Sequence, residues 1–172
     1  SRDNCAKLHR IFLGTAHLFD LTQRLKMVSA DQVSAVKANI ATIKSGDVSK
    51  TAGDFFLYFF KKYPAHQNKF PAYKGKGVDS LPSVGSWKTH TTNVTAATFA
   101  LLEKSGDAGG LAAACKQTVA EHVPRGGVNA KEYTDVLAAL VCFVSEALGG
   151  ACNKAAWQAC SDAVVASLKA AL

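Results

Sequence analysis

The chain has 172 residues, of which 48% are hydrophobic and 19% are charged, and its formal net charge is +7. This composition is typical of one globular domain with a buried core, and it excludes a disordered chain. The basic residues are dispersed without a compact run, which argues against a nucleic-acid partner, and no stretch of about eighteen apolar residues predicts a membrane span.

The first segment, residues 1–28, is predicted to be an extension that precedes the main domain, residues 29–172. Apolar side chains such as Leu8, Phe12 and Leu25 recur in it at helical spacing, with basic residues between them. The pattern predicts an amphipathic helix, which either binds a membrane surface or a partner, or packs on the domain as an additional helix. We favour the second interpretation. The segment lacks the apolar run and cleavage site of a signal peptide, so any secretion signal is expected to have been removed.

The sequence of the main domain predicts helices and no strand of useful length. Ser29 and Gln32 have the spacing of a capping box, in which each side chain bonds the backbone N–H of the other residue. Pro82 is placed in the first turn of a long helix, where its missing N–H has no cost. Apolar periodicity predicts the following helices, with a short turn at Pro64 and a loop over 71–81: 29–45, 47–62, 82–104, 111–121, 129–148 and 153–171.

The five cysteines argue against a zinc site, because no two of them form a CxxC pair. Cys115 and Cys142 lie among apolar residues and are predicted to be core residues. Cys152 and Cys160 are eight residues apart, and they are either core residues or members of disulfides. Because the count is odd, at least one thiol is free or forms an intermolecular bond, and Cys5 and Cys152 are candidates for a link between chains.

Two histidines are the candidate carriers of chemistry. His90 lies on the apolar face of the helix predicted over 82–104, and His122 lies in the last turn of the helix over 111–121, just before Pro124. A single histidine on an apolar face is usually a satisfied core residue. Both have a second interpretation as ligands of a metal or cofactor, because neutral imidazole is a common metal ligand.

Over residues 29–172 the sequence resembles the globins, and among them it is most similar to the haemoglobins of midge larvae. The opening Ser-Ala-Asp-Gln-Val at 29–33 and the corner Glu-His-Val-Pro-Arg-Gly at 121–126 are similar to those chains. In register with these segments are the residues at the other positions of the family pattern, namely Pro64, Phe70, His90, Val94 and Trp157.

The resemblance implies an all-α globin fold around haem b. It implies that His122 is the proximal iron ligand, with its other ring nitrogen held by a backbone carbonyl of its own helix. His90 is then the distal residue, which faces bound dioxygen, and Val94 crowds the ligand. Phe70 packs against the porphyrin. Phe56 is expected to point into the distal pocket, although ordinary core packing remains an equal interpretation.

Five further residues are expected to contact the haem. Val128, Tyr133 and Val136 are placed on the proximal and interior side of the pocket. Arg125 and Lys88 are expected to pair with the haem propionates, and each has the alternative of being a solvated surface charge.

The function implied by the resemblance is reversible binding of dioxygen, for transport or storage, by a monomer or homodimer that is not an enzyme. Midge haemoglobins imply an extracellular location in haemolymph, while the residues leave a cytoplasmic location open. One alternative is a peroxidase-type globin, in which His90 serves as an acid–base group. A second is a haem-free module whose apolar pocket takes another small molecule.

Overall fold

The computed structural model describes residues 28–172, and the predicted helix within residues 1–28 therefore lies outside the described residues except for Val28. The described chain contains helices and no strands. The α-helices are α1 (Ala30–Lys44), α2 (Val48–Lys62), α3 (Pro64–Gln67), α4 (Trp87–Glu103), α5 (Ala108–His122), α6 (Ala130–Leu148) and α7 (Lys154–Ala171). Short 3₁₀ turns cover Val78–Ser83, Val123–Arg125 and Gly149–Ala151. The all-α prediction is confirmed.

Polar side chains start each of the longer helices except α4 by satisfying free backbone N–H groups. The capping box of Ser29 and Gln32 is present at α1, as predicted, and Asn129 and Glu132 form a second one at α6. Asp107 starts α5 by accepting a hydrogen bond from the N–H of Gly110. A Cβ at Gly110 would lie 2.2 Å from the Asp107 carboxylate, so any other residue here would require that side chain to shift.

Two helix starts differ from the sequence prediction. The helix expected over 82–104 begins only at Trp87, because Pro82 belongs to a separate 3₁₀ turn whose Leu81 is fully buried. The loop predicted over 71–81 therefore gives way to this turn at Val78. The helix expected over 111–121 begins three residues earlier, at Ala108, since Asp107 caps it despite the two glycines in its first turn.

The helices pack in crossed pairs around a single apolar core. α2 crosses α4 and also contacts α6, while α7 packs on α6, α5 and α1. Gly53 allows the close crossing of α2 and α4, since a Cβ there would lie 3.1 Å from the indole nitrogen of Trp87. On the other side of the core, the fully buried Trp157 packs edge-on against Phe99, with ring centroids 6.2 Å apart. The crossings bring α4 and the end of α5 to the region of the candidate site.

One helix of the described chain is long and apolar enough to cross a membrane by length and composition. It covers Ala130–Ala151, with a mean hydropathy of 1.5 over its most apolar window. The expectation from sequence still holds, because charged residues such as Lys131, Asp135 and Glu146 interrupt this helix and it contains no run of eighteen apolar residues. In the fold the helix packs on α2 and α7 and buries Leu137, Leu140 and Val144, as a core helix does.

The four described cysteines are free thiols. Cys115 is fully buried, as predicted, whereas Cys142 is only half-buried and lies outside the apolar core, because the core-facing side of α6 is formed by its neighbours Leu140, Val141 and Val144. Cys160 takes the core alternative and is fully buried. Cys152 is half-buried next to the core, and neither it nor Cys160 forms a disulfide within residues 28–172.

Candidate functional site

His122 closes the last turn of α5 with one ring nitrogen already engaged. Its Nδ1 lies 2.7 Å from the carbonyl oxygen of Thr118, one turn earlier, so Nδ1–H donates to that carbonyl. Within residues 28–172 its Nε2 has no hydrogen-bond partner. Donation by Nδ1 leaves a lone pair on Nε2, which is the form of imidazole that binds a metal. The carbonyl partner is the one expected from the sequence.

His90 projects from α4 into a cluster of aromatic rings. Its ring lies 5.8 Å from Phe56 and 5.4 Å from both Phe70 and Tyr73, measured between centroids. Its Nδ1 lies 2.7 Å from the phenol oxygen of Tyr73. Its Nε2 has no partner among the described residues. Burial, and next the positive charge of Arg125, lower the pKa of His90, so the ring is neutral at pH 7.

The corner after α5 brings the two histidines to the same region. It turns through Val123–Arg125 and two glycines with left-handed backbone, Gly126 at φ 95° and Gly127 at φ 71°, a conformation that other residues rarely adopt. Arg125 is exposed on this corner, yet its charge acts on His90 of α4. The corner that follows His122 therefore lies near His90.

Three of the predicted site residues are half-buried apolar side chains. Val94, one turn after His90, and Val128 and Val136, after the corner, are each partly exposed while packed on the core. Tyr133 is buried with its ring edge-on to His122, at 6.0 Å between centroids. Its phenol oxygen has no hydrogen-bond partner within the described chain. Apolar groups left partly open, beside an unsatisfied phenol, are what an absent ligand would cover.

The remaining predicted residues differ in their surroundings. Phe56 is fully buried and edge-on to Phe60, Phe70 and Trp87 as well as to His90, so it packs in the core and borders the site at once. Lys88 is exposed, and no salt bridge engages it among residues 28–172.

Sequence reasoning missed Tyr73, the one residue among 28–172 that hydrogen-bonds the ring of His90. It lies in the stretch predicted as a loop, and it is nevertheless almost completely buried. An isolated tyrosine in a segment rich in glycine, lysine and proline is a signal that was available, because a loop of that composition has little other apolar surface to anchor it.

The observed groups fit a haem. A flat apolar cofactor with iron at its centre needs a metal-binding nitrogen on one face, and His122 offers its free Nε2. It also needs apolar walls, for which the half-buried Phe70, Val94, Val128 and Val136 are candidates, and a cation for its propionates, for which the exposed Arg125 is a candidate. A zinc or di-metal centre needs several protein ligands around the ion. The described chain has no group of three or more His, Cys, Asp or Glu residues that could hold a metal ion in that way.

Comparison with known proteins gives the same family. The Globin family profile matches residues 53–168. A globin of Nerita albicilla is 27% identical over 143 residues, which is 81% of this chain and 90% of that protein. Globin CTT-V of Chironomus thummi piger is 28% identical over 135 residues, covering 76% of this chain and 79% of that one.

The fold has relatives among solved structures. A crystal structure of Aplysia limacina ferric myoglobin matches with a TM-score of 0.72 and 24% identity, covering 84% of this chain and 98% of that chain. A double mutant of the same myoglobin matches equally well. Since the family profile covers more than half of the 172 residues, the chain belongs to the globin family.

Proposed function

We propose that this globin holds haem b through His122 and reversibly binds dioxygen on the side of His90, as a carrier for transport or storage. The observation that carries the proposal is a pair of histidines that meet apolar and aromatic side chains in the same way, His90 beside Phe56 and Phe70 and His122 beside Tyr133. Each has Nδ1 engaged by the protein, while Nε2 has no partner within residues 28–172. Such a pair leaves one ring for the iron and one for its ligand.

His122 is the residue that would bind the iron. Thr118 holds the Nδ1–H of this ring at 2.7 Å, which fixes both the ring plane and the tautomer, so no proton competes for Nε2. With haem bound, the iron supplies a coordination position at which dioxygen attaches reversibly. The protein's part on this side is to present one nitrogen in a fixed direction.

His90 acts on the other side. A neutral ring with its proton on Nε2 donates a hydrogen bond to dioxygen, whose outer oxygen becomes partly negative on binding. Carbon monoxide gains less from the same bond because it carries little charge. Val94, Phe56 and Phe70 keep water away from the distal side, which slows oxidation of the iron. Arg125 and Lys88 are exposed where the propionates are expected, so their ion pairs would contribute little to affinity.

The geometry disfavours the peroxidase-type alternative. Such an enzyme gains from a carboxylate that makes the proximal histidine more anionic. Here the partner of His122 Nδ1 is the neutral carbonyl of Thr118, and the neighbouring Glu121 is exposed and bonds Gln117 instead. We therefore propose a carrier rather than an enzyme. Peroxide turnover of a phenol faster than loss of haem absorbance would contradict this.

An optical spectrum of the reduced protein, before and after exposure to air, tests the proposal. We expect a five-coordinate spectrum without air and the twin bands of an oxygen complex with air, which revert under vacuum. A reduced spectrum that is already six-coordinate would mean that His90 binds the iron itself, and would contradict reversible binding at an open position. No Soret band after addition of haem would overturn haem binding altogether.

Oligomeric state and location belong to the proposal as well. We propose a monomer or homodimer that acts outside the cell, on the ground that Chironomus globins are among its relatives. Sedimentation with and without a reductant tests whether cysteines join two chains.

A further inference from the structure

The loop after α3 buries one aromatic ring in the distal region. Tyr73 stacks on Phe70, with centroids 5.7 Å apart and rings 28° from parallel, and it meets Phe60 and Trp87 edge-on at 6.1 Å and 5.3 Å. Only 1% of its surface is exposed. The ring is therefore held from three sides, and its hydroxyl has a fixed direction.

The backbone of this loop is also fastened. The buried side chain of Gln67 donates one hydrogen bond to the carbonyl of Tyr73, at 2.8 Å, and another to the carbonyl of Lys76, at 2.7 Å. A buried amide that satisfies two loop carbonyls holds the loop against the end of α3. Tyr73 is thus fixed in backbone and ring before any ligand is present.

The hydroxyl of Tyr73 contacts the ring of His90. The Tyr73 oxygen lies 2.7 Å from His90 Nδ1, a short distance for a neutral hydrogen bond between oxygen and nitrogen. Either atom could carry the proton on geometric grounds. A phenol, whose ordinary pKa is about 10, gives up its proton more readily than the N–H of a neutral imidazole. An imidazole nitrogen, whose protonated form has an ordinary pKa of about 6.5, accepts a proton more readily than a phenol oxygen. The favoured arrangement is O–H donating to Nδ1.

The charge states of the two groups agree with this direction. Burial raises the pKa of the Tyr73 phenol, and a hydrogen bond with Ser86 only partly opposes that rise, so the phenol keeps its proton at pH 7. His90 is neutral, and therefore carries one ring proton. If Nδ1 accepts from Tyr73, that proton is on Nε2.

We propose that Tyr73 is a positioning residue, which holds His90 in the tautomer with its proton on Nε2 and so makes this nitrogen a permanent hydrogen-bond donor to dioxygen. The inference rests on the proposed function. On this account the preference of the site for dioxygen depends in part on Tyr73, a loop residue that acts through His90 and does not itself contact the ligand. Without the phenol, the ring is free to take the other tautomer or to turn toward solvent.

The first test is the tautomer itself. In protein with ¹⁵N-labelled histidine and haem reduced under carbon monoxide, the two ring nitrogens of His90 have chemical shifts that show which one is protonated, and His90→Gln assigns the signals. We expect the proton on Nε2 in the wild-type protein. A proton on Nδ1 would overturn the proposal, and this measurement needs no variant of Tyr73.

The second test is Tyr73→Phe, which keeps the ring and removes the hydroxyl. We expect dioxygen to dissociate about threefold to tenfold faster, the factor that corresponds to one hydrogen bond of ordinary net strength. The dissociation of carbon monoxide should stay within about twofold, because it depends little on donation. The ¹⁵N shifts of His90 should move toward a mixture of tautomers.

The matched control is Tyr58→Phe, which removes a phenol hydrogen bond of 3.0 Å to Glu146, away from His90. It should leave both ligand rates and the His90 shifts unchanged. If Tyr73→Phe behaves as this control does, the proposal is overturned while haem and oxygen binding stand. If the wild-type protein takes up no haem, the proposed function itself fails, and the two failures are therefore distinguishable.

Discussion

Nε2 of His66 lies 2.7 Å from Oδ2 of Asp135, and this contact joins α3 to α6. The ring of His66 also stacks on Phe59, 10° from parallel at 5.4 Å, and Lys131 bonds the same carboxylate. Only 13% of either side chain in the His66–Asp135 pair is exposed. The short helix that leads to Phe70 is thus held in place by a largely shielded polar contact between two half-buried side chains.

The pH dependence of stability should report this contact. Burial alone would raise the pKa of Asp135, but hydrogen bonds from Lys131 and His66 outweigh it and lower the pKa. A lowered pKa in the folded state means stability that is present above the ordinary value of about 3.9 and is lost as the pH falls through the folded value. We expect Asp135→Asn to lower the free energy of unfolding by about 1 to 3 kcal/mol at pH 7, and by much less near pH 3. Urea unfolding at the two pH values measures this.

The control for that prediction is Asp54→Asn. Asp54 pairs with Lys50 at 2.6 Å, but both side chains are largely exposed. Removing this pair should change stability by less than about 0.5 kcal/mol. An Asp135→Asn deficit that is equally large at pH 3 would show that lost packing, and not the charge, is responsible.

A second contact holds α1 to the start of α7. The Asn39 side chain accepts hydrogen bonds from the indole N–H of Trp157, at 3.0 Å, and from the N–H of Asn153, at 3.3 Å, and donates to the carbonyl of Ala151 at 2.9 Å. Trp157 is fully buried, so Asn39→Ala leaves its N–H unsatisfied. We expect a loss of about 1 to 3 kcal/mol in urea unfolding.

Gln158→Ala serves as the matched control, because it removes an exposed amide whose bond to Asp162 is within one helix. It should cost less than about 0.5 kcal/mol. Equal losses in the two variants would contradict the role given to Asn39.

The crossing of α2 and α4 depends on the absence of a side chain at Gly53. A Cβ there would lie 3.1 Å from the Trp87 indole, which packs on Tyr73. We expect Gly53→Val to lower stability by about 1 to 3 kcal/mol through overpacking, and to shift the near-ultraviolet circular dichroism of Trp87. Gly150→Val, at a site with open space around it, should change neither quantity appreciably. A fully stable Gly53→Val protein would mean that the two helices can separate freely.

The helices were predictable from sequence because each carries a local signal. The apolar period places the stripes of α1, α2, α6 and α7, and the capping residues stand beside them in the chain. The start of α4 was not predictable in this way. Pro82 is compatible with a first turn of α-helix and with a 3₁₀ turn, and the burial of Leu81 decides between them.

The residues of the candidate site also differ in how far the sequence predicts them. His90 and His122 could be singled out by their spacing within a family pattern. Tyr73 carries only the weak signal of an isolated tyrosine in a polar loop, and its contact with His90, which joins that loop to a helix, has no local pattern that predicts it. Asn39 and Trp157 are 118 residues apart, and no local pattern relates them.

The hydrogen bond assigned to His90 gives a prediction about ligands. We expect His90→Leu to speed the dissociation of dioxygen about 10-fold to 100-fold, since a bond to a partly charged acceptor contributes about 1.5 to 3 kcal/mol. Carbon monoxide on the same variant is the internal control and should dissociate at nearly the wild-type rate. Flash photolysis and ligand replacement measure both rates. An equal effect on the two ligands would show that His90 acts through bulk alone.

The role of His122 is the central claim, and the iron–histidine stretching band in the resonance Raman spectrum of the reduced protein tests it most directly. We expect the band in the wild-type protein and in the control variant His66→Gln, its loss in His122→Gly, and its return when imidazole is added to His122→Gly. Return with imidazole shows that the variant is folded and lacks only the ligand. A His122→Gly protein that keeps the wild-type band without imidazole would contradict the account, because another residue would then hold the haem.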